Sequence, residues 1–504
     1  MTINQTILRK PELQDEIVTL FTDFFGFEKT DASKVYNDEV LPHLQNLKDD
    51  LHYLVESPYV DKVYRDSFYC YFSSKFSPYQ RDCIRLSIFN GEIQEDDFRD
   101  PARIIETEKK FLGFVVLRPT YPSVIGRSII SKYALNNSDF LCLSTKFDAA
   151  VNFVKFQVDG FPHSSQDSET ISCAETTLWA MMEYFGYRYA EYNPVLPSKI
   201  IGSLRTVSME RQVPSRGLNI QQISFALKEF GLSSRIYSKA RFGTDDFKKL
   251  FATYVESGLP LIVAIQGGGI GHALLCIGHE RTEHATVDAL APSIESDLAL
   301  RGRLAAKNIT IYDDAEVNRK YVFIDDNHPI YQLAYFATPA AHYSAGPWQL
   351  CEIEFFIVPL YQKIYLEAYE AKLFIKKYLI ELFPIPNDSE LYLRFYLTSS
   401  RTYKNDVAVN TTMDTDTKDL ILGTSMSKFI WVCEVSTKDL IKQQKAEGIF
   451  LADATEARTE NLRPLILATY KDKYVYPDHV TKKLTSLTVA SHAFSIFTGN
   501  LKGF

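Results

Sequence analysis

The stretch SQDSETISCAETTLWAMMEYFG, residues 165–186, sets a cysteine where a thiol could act as a nucleophile. Ser172 suits an N-cap and Glu175 follows three positions later, so Ser-Cys-Ala-Glu spells a capping box and makes Cys173 the first helical residue. Backbone N–H groups without acceptors and the positive end of the helix dipole both favour a thiolate there. An ordinary buried cysteine can occupy the same place, so the helix alone decides nothing. Thiol catalysis also needs a base within hydrogen-bond reach, a group that orients the base, and donors for an oxyanion. His272, in GGGIGHALLCIGH, follows a glycine turn and opens an apolar strand, which would bring its ring to a sheet edge. Asp325 and Asp326 end the apolar strand of YVFIDDN and fall on opposite faces of it, so either could meet His272. A histidine capping a hairpin and a carboxylate in a turn are the plainer readings of these residues. Gln166 carries no signal by itself.

These residues need elements to hold them. Ala174, Leu178, Met181, Met182 and Phe185 form the apolar stripe of a buried helix, with Gly186 as its expected stop. Helices are expected at Gly217–Gly231 and Asp245–Ser257, and strands at LPLIVAI (259–265), HALLCIG (272–278) and KYVFIDDN (320–327). The polar span 283–318 reads as an irregular insertion. Upstream, Glu12–Phe25 reads as an amphipathic helix, Ala32–Val55 contains a second candidate helix with Pro42 near its start or at a break, and SFYCYFSS, CIRLSIF, FLGFVVLRP, LCLSTKF and VNFVKFQVDG read as strands. Downstream, CEIEFFIVPL reads as a strand, residues 361–383 as a long helix, and LYLRFYL, SKFIWVCEV, GIFLAD, RPLILATY and LTVASHAFSIF as strands. The reading is therefore α+β, in three regions: 1–160, 161–345 and 346–504.

Composition narrows the function classes. A 504-residue chain with 46% hydrophobic and 23% charged residues can bury two or three cores. Its net charge of −8, without a Lys/Arg cluster, speaks against nucleic acid as a partner. Seven scattered cysteines without a CxxC pair suit reduced thiols in a cytoplasmic protein rather than a disulfide framework. The N-terminus lacks a signal-peptide core, and no run of about 18 apolar residues is present, so no membrane partner is expected. His272, His279, His284 and Asp288 follow no zinc spacing, and GGGIG lacks the P-loop pattern, so neither metal nor cofactor is expected.

Taken in order, Gln166, Cys173 at a helix start, His272 after glycine and Asp325 ending the next strand resemble the papain-like cysteine peptidases. The closest likeness is to their bacterial leader-peptide-cleaving branch, carried by QDS at 166–168, GLNIQQISFALKEFG, GLPLIVAI, GHALLCIGHE and YVFIDDN, over about residues 161–335. The resemblance implies a papain-like core with Cys173 as nucleophile, His272 as general base and acid, and Asp325 as the orienting carboxylate, Asp326 being the alternative. Gln166 would share the oxyanion hole with the Cys173 backbone N–H. The implied activity is hydrolysis of a peptide or other amide bond, with deamidation or transpeptidation open to the same triad and an inactive binding scaffold as the other class. The chain departs from the branch in having Ala174 where glycine follows the cysteine, one extra residue between Gln166 and Cys173, and a long insertion before Asp325. It also carries no exporter membrane domain or ATPase, so leader processing is not the expected role. The expected partner is a protein or peptide substrate, with the flanking regions available for a regulatory partner or self-association.

Overall fold

A computed structural model describes the chain except residues 1, 2, 168, 479–482, 489–491 and 502–504. Helix and strand make up 36% and 30% of it, which is the mixed α+β composition expected. Among the described residues the strands form three seven-stranded sheets and a two-stranded one, Lys445–Ala446 with Phe494–Ser495. The first runs in the order Asn4–Arg9, Leu51–Tyr59, Cys83–Asn90, Phe111–Leu117, Ser128–Ile130, Val154–His163, Thr145–Val151. The second runs Gln332–Tyr335, Lys320–Ile324, Ile270–Glu280, Leu261–Gly267, Glu352–Leu360, Ser233–Ser238, with Phe140–Cys142 also paired to Ile270–Glu280. The third begins Thr310–Asp313, Glu390–Ser399, Phe429–Ser436 and continues through Gly448–Asp453 to Leu484–Thr488.

Helices separate the sheets. The Cys173–Arg188 helix packs on both Val154–His163 of the first sheet and Ile270–Glu280 of the second. Being covered on both sides, it is buried nearly all round from Ala174 to Phe185 rather than along one stripe. The Lys239–Glu256 helix does the same between the second and third sheets. Strand alternation explains the layering: Ala273, Leu275 and Ile277 face the first core, while Leu274 and Cys276 face the second. A buried ion pair ties the Cys173 helix to the first sheet region, with Glu183 accepting from Arg127 Nε at 2.9 Å. Lys62 adds a second cation 2.9 Å from the same carboxylate.

Several expectations need correction. SFYCYFSS is not a strand: Lys62–Cys70 is a helix, followed by a 3₁₀ turn at Phe72–Ser74. Asp61 caps it by accepting from the N–H groups of Val63 at 3.0 Å and Tyr64 at 2.8 Å, and tertiary packing of that face overrides aromatic β-propensity. Within Ala32–Val55 the candidate helix is present in pieces: the helices Lys29–Val35 and Leu41–Gln45 flank a π turn at Tyr36–Val40, Pro42 stands at the start of the second, and the strand Leu51–Tyr59 follows. The strand expected over VNFVKFQVDG starts later, at Val154: Val151 ends the preceding strand, and the hairpin turns at Asn152 and Phe153, whose φ angles are 45° and 69°. The 283–318 span is not irregular throughout: it forms the helix Leu298–Ala306 and the strand Thr310–Asp313, which joins the third sheet in parallel. Glu352–Leu360, placed by sequence after the 345/346 boundary, is a strand of the second sheet. Gly186 does not stop its helix; a Cβ there would meet Pro194 N at 2.3 Å, so glycine permits close packing instead. Part of LTVASHAFSIF, residues 489–491, and Ser168 of QDS lie outside the described residues.

Candidate active site

Cys173 takes the position its sequence predicts. Ser172 is the N-cap, and the Glu175 carboxylate accepts from the Ser172 backbone N–H at 3.2 Å and from Ser215 Oγ at 2.7 Å. The thiol is half-buried, whereas Cys83, Cys142, Cys276 and Cys433 are fully buried and have their pKa values pushed up by that burial. The loop leading to Cys173 is held at two points. Asp167 Oδ1 accepts from the N–H groups of Glu169, Thr170 and Ile171 at 2.7–2.9 Å. The buried Arg118 guanidinium donates to Ser165 O at 2.6 Å. Thr177 then links the two halves of the site: its hydroxyl donates to Cys173 O at 2.6 Å and lies 3.4 Å from Ala273 O, beside His272.

The second sheet brings His272 to that thiol. Pairing Leu261–Gly267 with Ile270–Glu280 requires a tight turn at Gly268 and Gly269, whose φ angles are 57° and 81°. His272 is the third residue after it and stands within hydrogen-bonding reach of Cys173. The neighbouring strand settles which aspartate shares its face. Cys276 pairs with Phe323, so stepping back to His272 and forward to Asp325 keeps both on one side of the sheet. His272 Nε2 lies 3.0 Å from Asp325 Oδ1 and 3.4 Å from Asp326 Oδ1. With Nε2 on the carboxylate, the other ring nitrogen is left for the thiol.

Asp325 is the centre of a hydrogen-bonded cluster. Besides His272 it accepts from His342 Nε2 at 2.7 Å, from Tyr343 Oη at 3.1 Å and from the Asn327 backbone N–H at 3.0 Å. Burial would raise its pKa, but the His272 and His342 hydrogen bonds and charges hold it far below the carboxylate range. Burial likewise would depress His272, yet hydrogen bonds to Asp325 and Cys173 and the two carboxylate charges keep it well above the usual histidine value. Asp326 differs sharply. Both its oxygens lack a hydrogen-bond partner among the described residues, and burial, opposed by His272 and reinforced by Asp325, pushes its pKa up to about 7.

Gln166 is placed at the acid end of the cluster. Its Nε2 donates to Asn327 Oδ1 at 2.8 Å, and Asn327 Nδ2 donates to Tyr343 Oη at 3.1 Å. Trp348 stands edge-on to the His272 ring, centroids 5.5 Å apart, and stacks on Tyr343 at 3.8 Å. The first region contributes too. His163 Nε2 donates to the carbonyls of Asp325 at 3.1 Å and His328 at 3.0 Å, which fixes its tautomer and locks the turn after the strand. Comparison of the chain with protein-family models and with curated proteins finds no match.

A cleft of about 610 Å³ opens over the thiol. Leu218, Ile220 and Ile223 line one wall; Ile265, His272 and Phe355 line the other. His279, His284 and Asp288, weighed as metal ligands from sequence, do not join this site; His279 instead pairs with Glu256 at 2.9 Å. His163, His342, Tyr343 and Trp348 were not singled out from sequence. The short runs NHP at 327–329 and AHY at 341–343, just past the Asp325 strand, were the available signal.

Proposed function

We propose that the chain is a papain-like thiol hydrolase acting on a peptide or other amide bond. The observation that carries this reading is the Cys173–His272–Asp325 sequence of contacts, opening on a cleft with apolar walls. In this account His272 takes the thiol proton, and the Cys173 thiolate attacks the substrate carbonyl carbon. The resulting oxyanion is met by the Cys173 backbone N–H, which has no acceptor in the first helical turn. Gln166 spends one amide hydrogen on Asn327 and has a second to offer, which keeps it eligible as the other donor. His272 then returns the proton to the leaving nitrogen as the C–N bond breaks, leaving a thioester on Cys173. Water, deprotonated by His272, attacks the thioester and releases the acid. Transfer of the same acyl group to an amine instead of water gives transpeptidation, and attack on a side-chain amide gives deamidation.

The Asp325 carboxylate holds the His272 ring in one tautomer and stabilises its charged form. Trp348 and Tyr343 cover that pair and keep its surroundings dry, which strengthens it. The cleft dimensions and its Leu218, Ile220 and Phe355 walls suit an extended peptide with apolar side chains. The test is a panel of peptide substrates and peptidyl electrophiles read by intact mass. A single covalent adduct on Cys173, lost in Cys173→Ala and His272→Ala, together with turnover of at least one amide, is the expected result. No adduct and no turnover across the panel would leave the binding-scaffold class standing instead.

A further inference from the structure

The triad carboxylate has a second set of neighbours that the proposed chemistry does not use. Asp325 Oδ2 faces away from the His272 contact and takes His342 Nε2 at 2.7 Å. His328, in the turn three residues after Asp325, packs edge-on to His342 with ring centroids 4.7 Å apart. One ligand atom each from Asp325, His328 and His342 lies within 4.8 Å of the other two. The ring nitrogens of His328 make no hydrogen bond among the described residues, and buried His342 Nδ1 has none either. Two imidazoles and a carboxylate oxygen thus converge with donor capacity to spare.

That donor set has a chemistry. Two nitrogens and one carboxylate oxygen suit a borderline divalent ion such as zinc, with water completing a tetrahedron. Zn–N and Zn–O lengths of roughly 2.0–2.2 Å put ligand atoms about 3.3 Å apart, so rotation of the two imidazole rings inward closes the set. His342 and Asp325 are already closer than that, and His328, partly exposed, lies on the solvent side where an ion would enter.

We propose that Asp325, His328 and His342 form a divalent-metal site that regulates the neighbouring thiol. The regulatory half rests on the triad reading above. An ion on Oδ2 draws the carboxylate toward His328 and His342 and away from His272 Nε2, now 3.0 Å from Oδ1, so it loosens the contact that orients the His272 ring toward the thiol. Metal binding and thiol activation therefore oppose each other through one carboxylate. His163 makes the coupling stiff, because it anchors the carbonyls of both Asp325 and His328.

The binding half is tested by titrating cobalt(II), then zinc(II), into the full chain carrying Cys173→Ala, which removes the thiol as a competing ligand. One equivalent with a tetrahedral cobalt spectrum is expected, weakened at least tenfold by His328→Ala and by His342→Ala. His328→Gln serves if the alanine variant does not fold, and exposed His284→Ala should change nothing. Binding that is absent, that survives both histidine substitutions, or that appears only with Cys173 intact overturns the site. The regulatory half is tested on the unsubstituted chain by the rate of Cys173 alkylation. Zinc should slow it at least fivefold, and His328→Ala should relieve the effect; metal binding without slowing overturns the regulation. Failure of the hydrolase reading would show as absent turnover with the cobalt titration unaffected, so the two failures are separable.

Discussion

His342 Nε2 lies 2.7 Å from Asp325 Oδ2, the oxygen that His272 leaves free, so one buried carboxylate serves two imidazoles. Its charge is thereby fixed, and the behaviour of His272 follows from it. Replacing Asp325 with Asn removes the strongest influence opposing burial at His272. The His272 pKa should fall, and the alkaline limb of kcat/KM should move to lower pH. Amide turnover should drop by roughly 10²–10⁴-fold, as expected when an orienting carboxylate is lost. A pH profile of kcat/KM with unchanged alkaline limb would contradict this role.

Asp326 predicts the opposite kind of pH dependence, in stability rather than rate. Its folded pKa is about 7 against an ordinary 3.8, so between those values the folded chain holds a proton that the unfolded chain has released. Stability therefore declines as pH rises from about 4 through 7. The full cost above both values is at most ~4 kcal/mol. Asp326→Asn removes that cost: denaturant unfolding should show the variant more stable than the parent at pH 8 and equal within about 1 kcal/mol at pH 4.5. Equal stability at both pH values would contradict a buried Asp326 carboxyl without a hydrogen bond.

Glu183 and Arg127 hold the Cys173 helix against the first sheet region, both almost entirely buried. Glu183→Ala would strip the buried Arg127 guanidinium of its hydrogen-bonded partner, leaving only the more distant Asp61 charge, and should cost about 3–5 kcal/mol of unfolding free energy. The double change Glu183→Leu with Arg127→Met should recover most of it. If the single change were neutral, the pair would not be the tie between these layers.

Gly186 makes a steric prediction. A methyl group there would press on Pro194 N and Cδ, at 2.3 and 2.4 Å, and backbone cannot move away cheaply. Gly186→Ala should lower stability by roughly 1–3 kcal/mol despite the better helix propensity of alanine. Thermal unfolding reads this directly.

Cys173, His272 and the aspartate pair were legible because each sits at an element end marked by a local signal: a capping box, a glycine turn, a strand running into two carboxylates. Choosing Asp325 over Asp326 needed the Cys276–Phe323 register, which no local pattern encodes. His342, Tyr343 and Trp348 were invisible for a related reason. They lie in residues 336–351, where no strand and only a 3₁₀ turn gives periodicity, and only tertiary folding brings them beside His272. The Lys62–Cys70 helix was misread because its aromatic residues favour strands, while the deciding feature was the single cap Asp61. The layering of three sheets around two buried helices, and the strand Glu352–Leu360 crossing into the second sheet, are likewise properties of long-range pairing.

The central claim is that His272 activates the Cys173 thiol. The most direct measurement is the rate of Cys173 alkylation by iodoacetamide as a function of pH, read residue by residue by mass spectrometry, in the parent and in His272→Ala. The account predicts rapid alkylation persisting well below the free-thiol pKa of about 8.5, and a return to a simple rise near that value in His272→Ala. A single rise near 8.5 in both proteins, with Cys173 no faster than exposed Cys70, would contradict it.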